Sequence, residues 1–159
     1  MLSKLEKAQQ QWGGYSDVID YWLTLRQELL VEYSKVAGLS GVNKNCLPTE
    51  EALNHFCEAL VDYISAGHFK IYDMVMSRWQ STGFSTNTEI DTLYARIVET
   101  TEPLLTFNDK YSAFVLDEDN FSRFDSDISR VGEIMELRFE QEDMLIQLIA
   151  DSLSIPPGA

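Results

Sequence analysis

The sequence predicts an all-α protein, an antiparallel four-helix bundle with a short extra N-terminal helix. Apolar residues recur every three to four positions along nearly the whole chain, and no period-two alternation of the strand type occurs. The breaks between these stripes are short and carry Gly, Asn or Pro. With 45% hydrophobic and 11% aromatic residues, 159 residues suffice to bury one core without disulfide or metal staples. Residues 1–159 therefore read as a single domain, with 154–159 as a disordered tail after the last helix.

The first main stripe is Val18, Ile19, Trp22, Leu25, Leu29, Leu30, Tyr33 and Val36, capped by Ser16 or Asp17 and ended by Gly38. A loop with Gly41, Asn43 and Asn45 leads to Thr49, whose hydroxyl suits a helix start. Glu50 and Glu51 follow at the positive end of the helix dipole. The stripe Leu53, Phe56, Cys57, Leu60, Ile64, Ile71, Val75 and Trp79 keeps its phase through Gly67, which predicts one long helix to about Gln80. Gly67 costs about 1 kcal/mol against Ala in a helix, and close approach of a neighbouring helix would account for it. A third helix carries Ile90, Leu93, Tyr94, Ile97, Val98, Leu104, Leu105 and Tyr111, with Pro103 expected to kink or restart it. The last runs from about Asp117 to Leu153 on the stripe Phe121, Phe124, Ile128, Val131, Met135, Phe139, Leu145, Ile149 and Leu153, and is stopped by Pro156-Pro157. Short links make neighbouring helices antiparallel.

Charge narrows the function. A net charge of −14 repels phosphate backbones and anionic lipid and attracts basic partners. Nucleic acid and membrane are therefore excluded as partners, since affinity for nucleic acid comes mainly from Lys and Arg. The polar segment Met1 to Gln11 has no apolar signal core, no apolar run spans a bilayer, and Cys46 and Cys57 form no CxxC, which together predict a cytoplasmic protein.

Chemistry is sparse. There is no GxGxxG, P-loop, GxSxG or HExxH. A di-iron bundle needs Glu three residues before each ligand His, but Ala52 precedes His55 and Ser65 precedes His68. No metal, cofactor or catalytic residue is expected, and the protein reads as a binding protein, not an enzyme. Three charged residues nevertheless interrupt the apolar stripes. Arg26 lies between Trp22 and Leu29, and Arg138 and Glu142 sit four apart between Met135 and Leu145. With His68, and with Asp20 or Asp143 as a further carboxylate, they predict a partly buried polar network that fixes helix register.

The second main helix has a second face. Advancing about 100° per residue from Ile64, Gly67 and His68 stay near the core direction. Asp62, Phe69 and Asp73 fall opposite, with Ser65 and Met76 at the side and Glu58 on the same acidic face. An aromatic anchor rimmed by carboxylates is the layout of a protein-binding patch.

These residues carry a family resemblance. The run Phe56-Cys57-Glu58-Ala59-Leu60-Val61-Asp62-Tyr63-Ile64-Ser65-Ala66-Gly67-His68-Phe69, followed by Tyr72, resembles the FCxxLVDYxSAGHFxxY segment of the Rsd/AlgQ family of bacterial anti-sigma factors (regulator of sigma D). Val18 to Tyr33 is similar to that family's VDxWLxxRxxLLVxY segment. Gly132, Glu133, Glu136, Arg138, Phe139, Glu142, Asp143, Leu145 and Ile146 are similar to its GExxExRFxxEDxLI segment. The resemblance implies a protein that binds the promoter −35-recognition region of the primary RNA polymerase sigma factor. It would sequester sigma from core polymerase and promote alternative sigma factors, with other regulatory proteins as further partners. On that reading Asp62 and Asp73 meet basic groups of sigma, while Phe69 fills an apolar pocket beside Ser65. The alternatives are a histidine phosphotransfer-type bundle, disfavoured because His68 points inward and lacks a following Lys-Gly, and a ligand sensor built on the polar core.

Overall fold

A computed structural model of the protein describes residues 17–38, 48–67, 72, 88–112 and 114–153. Four helices make up its regular structure: α1 (Asp17–Val36), α2 (Glu50–Ala66), α3 (Thr88–Tyr111) and α4 (Phe121–Leu153). The described residues contain no strand. The all-α expectation is met. The extra N-terminal helix, the 154–159 tail and the course of the second helix through His68–Ile71 and Asp73–Gln80 lie outside the described residues.

Side-chain pairs fix the topology. Trp22 and Tyr63 stack at one end of the α1–α2 pair, and Tyr33 meets Phe56 at the other, so these helices run antiparallel. Phe56 against Phe107 and Tyr72 against Tyr94 give the same sense for α2 and α3. Arg138 against Thr100 and Phe124 against Phe107 give it for α3 and α4. Arg26 bonds Asp143 while Tyr33 bonds Ile128, which closes α1 against α4 in the same antiparallel sense. The result is an up-down-up-down bundle whose core residues, among them Trp22, Leu29, Leu53, Phe56, Ile97, Leu104 and Met135, come from every helix.

Local chemistry sets the ends. Gly38 takes φ +73, the left-handed conformation that ends α1 at little steric cost. Thr49 caps α2, its hydroxyl accepting from the Ala52 N–H at 3.0 Å. At the other end Gly67 stays right-handed (φ −59, ψ −52), and its N–H is shared between the Tyr63 and Ile64 carbonyls. A Cβ there would lie 3.3 Å from the Tyr72 hydroxyl and 3.4 Å from Trp22 Nε1, so the glycine does serve a close approach to α1.

Three expectations are corrected. Val98, Leu105 and Phe121 are exposed and not in the core; Val98 and Leu105 each lie about 100° round the helix from a buried neighbour, Ile97 and Leu104, and Phe121 stands in the first turn of its helix. Pro103 does not restart the third helix. It sits inside an unbroken α3, because Ile97, Leu104 and Phe107 stay in one register against the core on both sides of it. The last helix starts at Phe121 and not at Asp117. Asp117 Oδ1 accepts the N–H groups of Asp119 and Asn120 while Asn120 Oδ1 accepts the Asp117 N–H, which makes residues 117–120 a reciprocal turn ahead of the helix.

Candidate functional site

The bundle holds a polar centre. Arg26, Arg138 and Glu142 are 1%, 1% and 0% exposed. Charges so buried persist only when paired and hydrogen-bonded. Glu142, from α4, is the hub. It accepts a hydrogen bond from the Tyr63 hydroxyl at 2.7 Å and a second, short one from the Tyr72 hydroxyl. Each tyrosine oxygen in turn accepts from an arginine: Tyr63 from Arg26 Nε at 3.0 Å, Tyr72 from Arg138 Nη2 at 3.2 Å. The two guanidiniums also stand 3.7 Å from opposite oxygens of the Glu142 carboxylate.

Arg26 Nη2 and Arg138 Nε, each 3.7 Å from the carboxylate, make no hydrogen bond among the described residues, whereas the Nη1 hydrogens are taken up at the periphery. Arg26 Nη1 forks to both oxygens of Asp143 at 2.9 and 3.2 Å, and its guanidinium lies between the Trp22 and Phe139 rings at 4.6 and 4.7 Å. Arg138 Nη1 donates to the Thr100 and Thr101 hydroxyls, both at 2.9 Å. Two guanidiniums against Glu142 and Asp143 leave the cluster formally neutral.

Burial works against the charge on Arg26, but Tyr63, Glu142 and Asp143 together outweigh it and raise its pKa. Arg138 follows the same pattern with Glu142 and the two tyrosines. Tyr63 and Tyr72 are pushed well above the ordinary tyrosine range, first by burial. Arg26 opposes the shift of Tyr63 and Arg138 that of Tyr72, while Glu142 adds to both. Both therefore remain neutral donors at physiological pH and are no nucleophiles. The cluster draws side chains from α1, α2, α3, α4 and the Tyr72 position, which suits it to fixing the register of the helices.

Of the residues expected in this network, Arg26, Arg138, Glu142 and Asp143 meet in the structure, and His68 lies outside the described residues. Tyr63, Tyr72, Thr100 and Thr101 were not foreseen. Their signal is weak, because a tyrosine on an apolar stripe is compatible with a plain core position. Only the two arginines, which must find acceptors, hint at hydroxyls facing them.

On the outward side of α2, Glu58 and Asp62 are exposed and Ser65 is half-buried. Phe69, Asp73 and Met76 lie outside the described residues. A cavity of about 360 Å³ opens beside Glu58 and Asp62, floored by Cys57 and Val61 and closed on the α3 side by Asn108 and Ser112. Burial, and then Glu58, push the Cys57 thiol up to about 11, so it is an inert core group and not a reactive one. No three His, Cys, Asp or Glu side chains converge as a metal site among the described residues, and none of the helices searched there is long and apolar enough to cross a membrane.

A family model described as regulator of RNA polymerase sigma(70) subunit, Rsd/AlgQ, matches residues 1–150. The chain belongs to the Rsd/AlgQ family. It is 37% identical over 153 residues to the regulator of sigma D of Yersinia enterocolitica, covering 96% of this chain and 92% of the relative. To the protein of the same name from Yersinia pseudotuberculosis it is 34% identical, over 96% and 90% of the two chains. To that of Salmonella paratyphi B it is 33% identical, over 96% and 94%.

Proposed function

We propose that this Rsd/AlgQ protein is a cytoplasmic anti-sigma factor without enzymatic activity. It binds the −35-recognition region of the primary sigma factor, withholds that sigma from core polymerase and so favours alternative sigma factors. Its docking face is the outward side of α2 and the chain that follows: Glu58, Asp62, Ser65, Phe69, Asp73 and Met76.

The observation that carries this reading is the split of α2 into two faces. Leu53, Phe56, Leu60, Tyr63 and Ile64 are buried, while Glu58 and Asp62 are exposed on a chain of net charge −14. A −35-recognition domain is a basic helix-turn-helix built to meet DNA phosphates. Carboxylates on a rigid helix compete for the same cations, and they steer encounter over a Debye length of about 8 Å at physiological salt. The test is competition. Purified chain is titrated against labelled primary sigma in the presence of core polymerase. Loss of the sigma–core complex with rising chain concentration supports the proposal, and an unchanged sigma–core complex contradicts it.

A further inference from the structure

Glu142 holds one stretch of chain at two points. Its Oε1 accepts from the Tyr63 hydroxyl and its Oε2 from the Tyr72 hydroxyl. The two tyrosines are nine positions apart in sequence. In an unbroken α-helix that separation is a rise of about 13.5 Å and a rotation of about 900°, which sets the two side chains on opposite sides of the axis. A single carboxylate would not reach both hydroxyls. The backbone departs from that geometry: Gly67 and Tyr72 are π-helical, the wide turn that is rare in proteins and recurs at functional sites. A Cβ at Gly67 would lie 3.3 Å from the Tyr72 hydroxyl, so the glycine leaves room for that hydroxyl against its own helix.

Each anchor is referenced to different helices. Tyr63 stacks on Trp22 of α1 at 5.7 Å, meets Phe139 of α4 edge-on at 5.4 Å and accepts from Arg26. Tyr72 meets Tyr94 of α3 edge-on at 5.9 Å and accepts from Arg138 of α4. Both tyrosines are buried. One carboxylate thus ties a single stretch of chain to the other three helices. Stability alone does not call for this, since apolar residues of similar volume often serve a core equally well or better than buried ion pairs. A satisfied polar network instead fixes geometry.

The same stretch carries the face proposed for sigma. Asp62 directly precedes Tyr63 and is exposed, Ser65 follows two residues on and is half-buried, and Phe69 falls between the two anchors in sequence. An α turn and a π turn leave the residues beyond them about 100° out of phase, because the π turn takes up one residue more. The π backbone at Gly67 and Tyr72 therefore bears on how the chain beyond it stands relative to Asp62 and Ser65. We infer that Glu142 is a positioning residue for sigma binding. Acting through Tyr63 and Tyr72, it fixes the phase of the docking segment, so that its carboxylates and its aromatic anchor meet one partner surface together. This inference rests on the docking face proposed above.

The test is the dissociation constant of the isolated −35-recognition domain, measured with the full chain and with Tyr72→Phe, Phe69→Ala, Asp62→Lys and the Tyr72→Phe/Phe69→Ala double variant. Tyr72→Phe removes only a hydroxyl that faces the core. It is expected to weaken binding at least about fivefold in protein whose circular dichroism is unchanged. On the Phe69→Ala background the same change should have less than about a twofold effect, because the tyrosine acts through the face it positions. Gly132→Ala, which strains the Tyr33 end of the bundle, is the stability control and should bind as the parent does. Tyr63→Phe removes the other hydroxyl, has the same expected loss, and carries the test where Tyr72→Phe does not fold. Parental affinity in both Phe69→Ala and Asp62→Lys would refute the docking face, and the inference with it. Weakening by those two but not by Tyr72→Phe leaves the face standing and overturns the inference alone. Equal losses from Tyr72→Phe with and without Phe69, or a loss of the same size in Gly132→Ala, would overturn it as well.

Discussion

Replacing Glu142 by Gln tests the polar centre most severely, because that one carboxylate serves both tyrosines and both arginines. It accepts two hydroxyl hydrogen bonds and stands 3.7 Å from each guanidinium. Hydrogen bonds to a charged acceptor are worth about 1.5–3 kcal/mol each. Gln keeps the shape, but its amide nitrogen cannot accept, so one tyrosine loses its bond. Arg26 retains Asp143, whereas the Arg138 contacts that remain are neutral: Thr100, Thr101, the Ile97 carbonyl and Tyr72. Leaving a buried charge without its partner costs about 3–5 kcal/mol. That sum is the expected loss of unfolding free energy, read from urea denaturation by circular dichroism and tryptophan fluorescence with an unchanged slope. The melting temperature should fall by about 2–4 °C for each kcal/mol. A loss below about 1 kcal/mol would show that Glu142 does not hold the two tyrosines and the two arginines together, and would refute this role.

Other outcomes follow from the same geometry. Tyr63 and Tyr72 have folded-state pKa values raised above the ordinary 10.0, so their contribution to stability is full below pH 10 and is lost as pH climbs from there through the folded values. Alkaline titration at 295 nm should show late tyrosine ionisation coincident with unfolding, and all seven tyrosines titrating near pH 10 in a still-folded protein would contradict this. Gly132→Ala would place a Cβ 2.7 Å from Tyr33 Cζ, in the spot where the Tyr33 hydroxyl reaches the Ile128 carbonyl. The overpacking should cost about 1–3 kcal/mol in denaturant unfolding, despite the better helix propensity of Ala. In a Cys46→Ser background, Cys57 should resist Ellman's reagent at pH 8 until the protein is denatured, because the thiol is buried and its pKa lies near 11. Immediate reaction in the native state would place it at the surface.

Much of the fold is legible in the sequence because helical packing writes itself as a period. Trp22, Leu29, Phe56, Leu60, Ile97 and Met135 lie on the expected stripes and are buried. Helix ends are less legible. Asp117 looks like an N-terminal residue of α4, yet the reciprocal bonds between Asp117 and Asn120 form a turn of their own first. Pro103 looks like a break, but propensity yields to tertiary contacts on both sides of it. In the polar centre, the four-residue spacing of Arg138 and Glu142 puts both on one face in any helical reading. Tyr63 and Tyr72 escape such a reading because their role depends on which residues face them across the bundle. Leu137 and Met144 show the converse: a 33-residue helix can carry apolar residues off its core stripe, and only burial tells them from the residues the core uses.

The central claim is that the outward side of α2 and the chain after it grip the −35-recognition region of sigma. Its most direct measurement is the dissociation constant of that isolated domain for the protein and for its Phe69→Ala and Asp62→Lys forms. An exposed ion pair contributes about 0–1 kcal/mol, so Asp62→Lys should weaken binding up to several-fold, and more where the new lysine faces a sigma cation. A desolvated aromatic anchor contributes about 2 kcal/mol or above, so Phe69→Ala should weaken binding by roughly 30-fold or more. Affinity unchanged in both variants would move the sigma site off this helix.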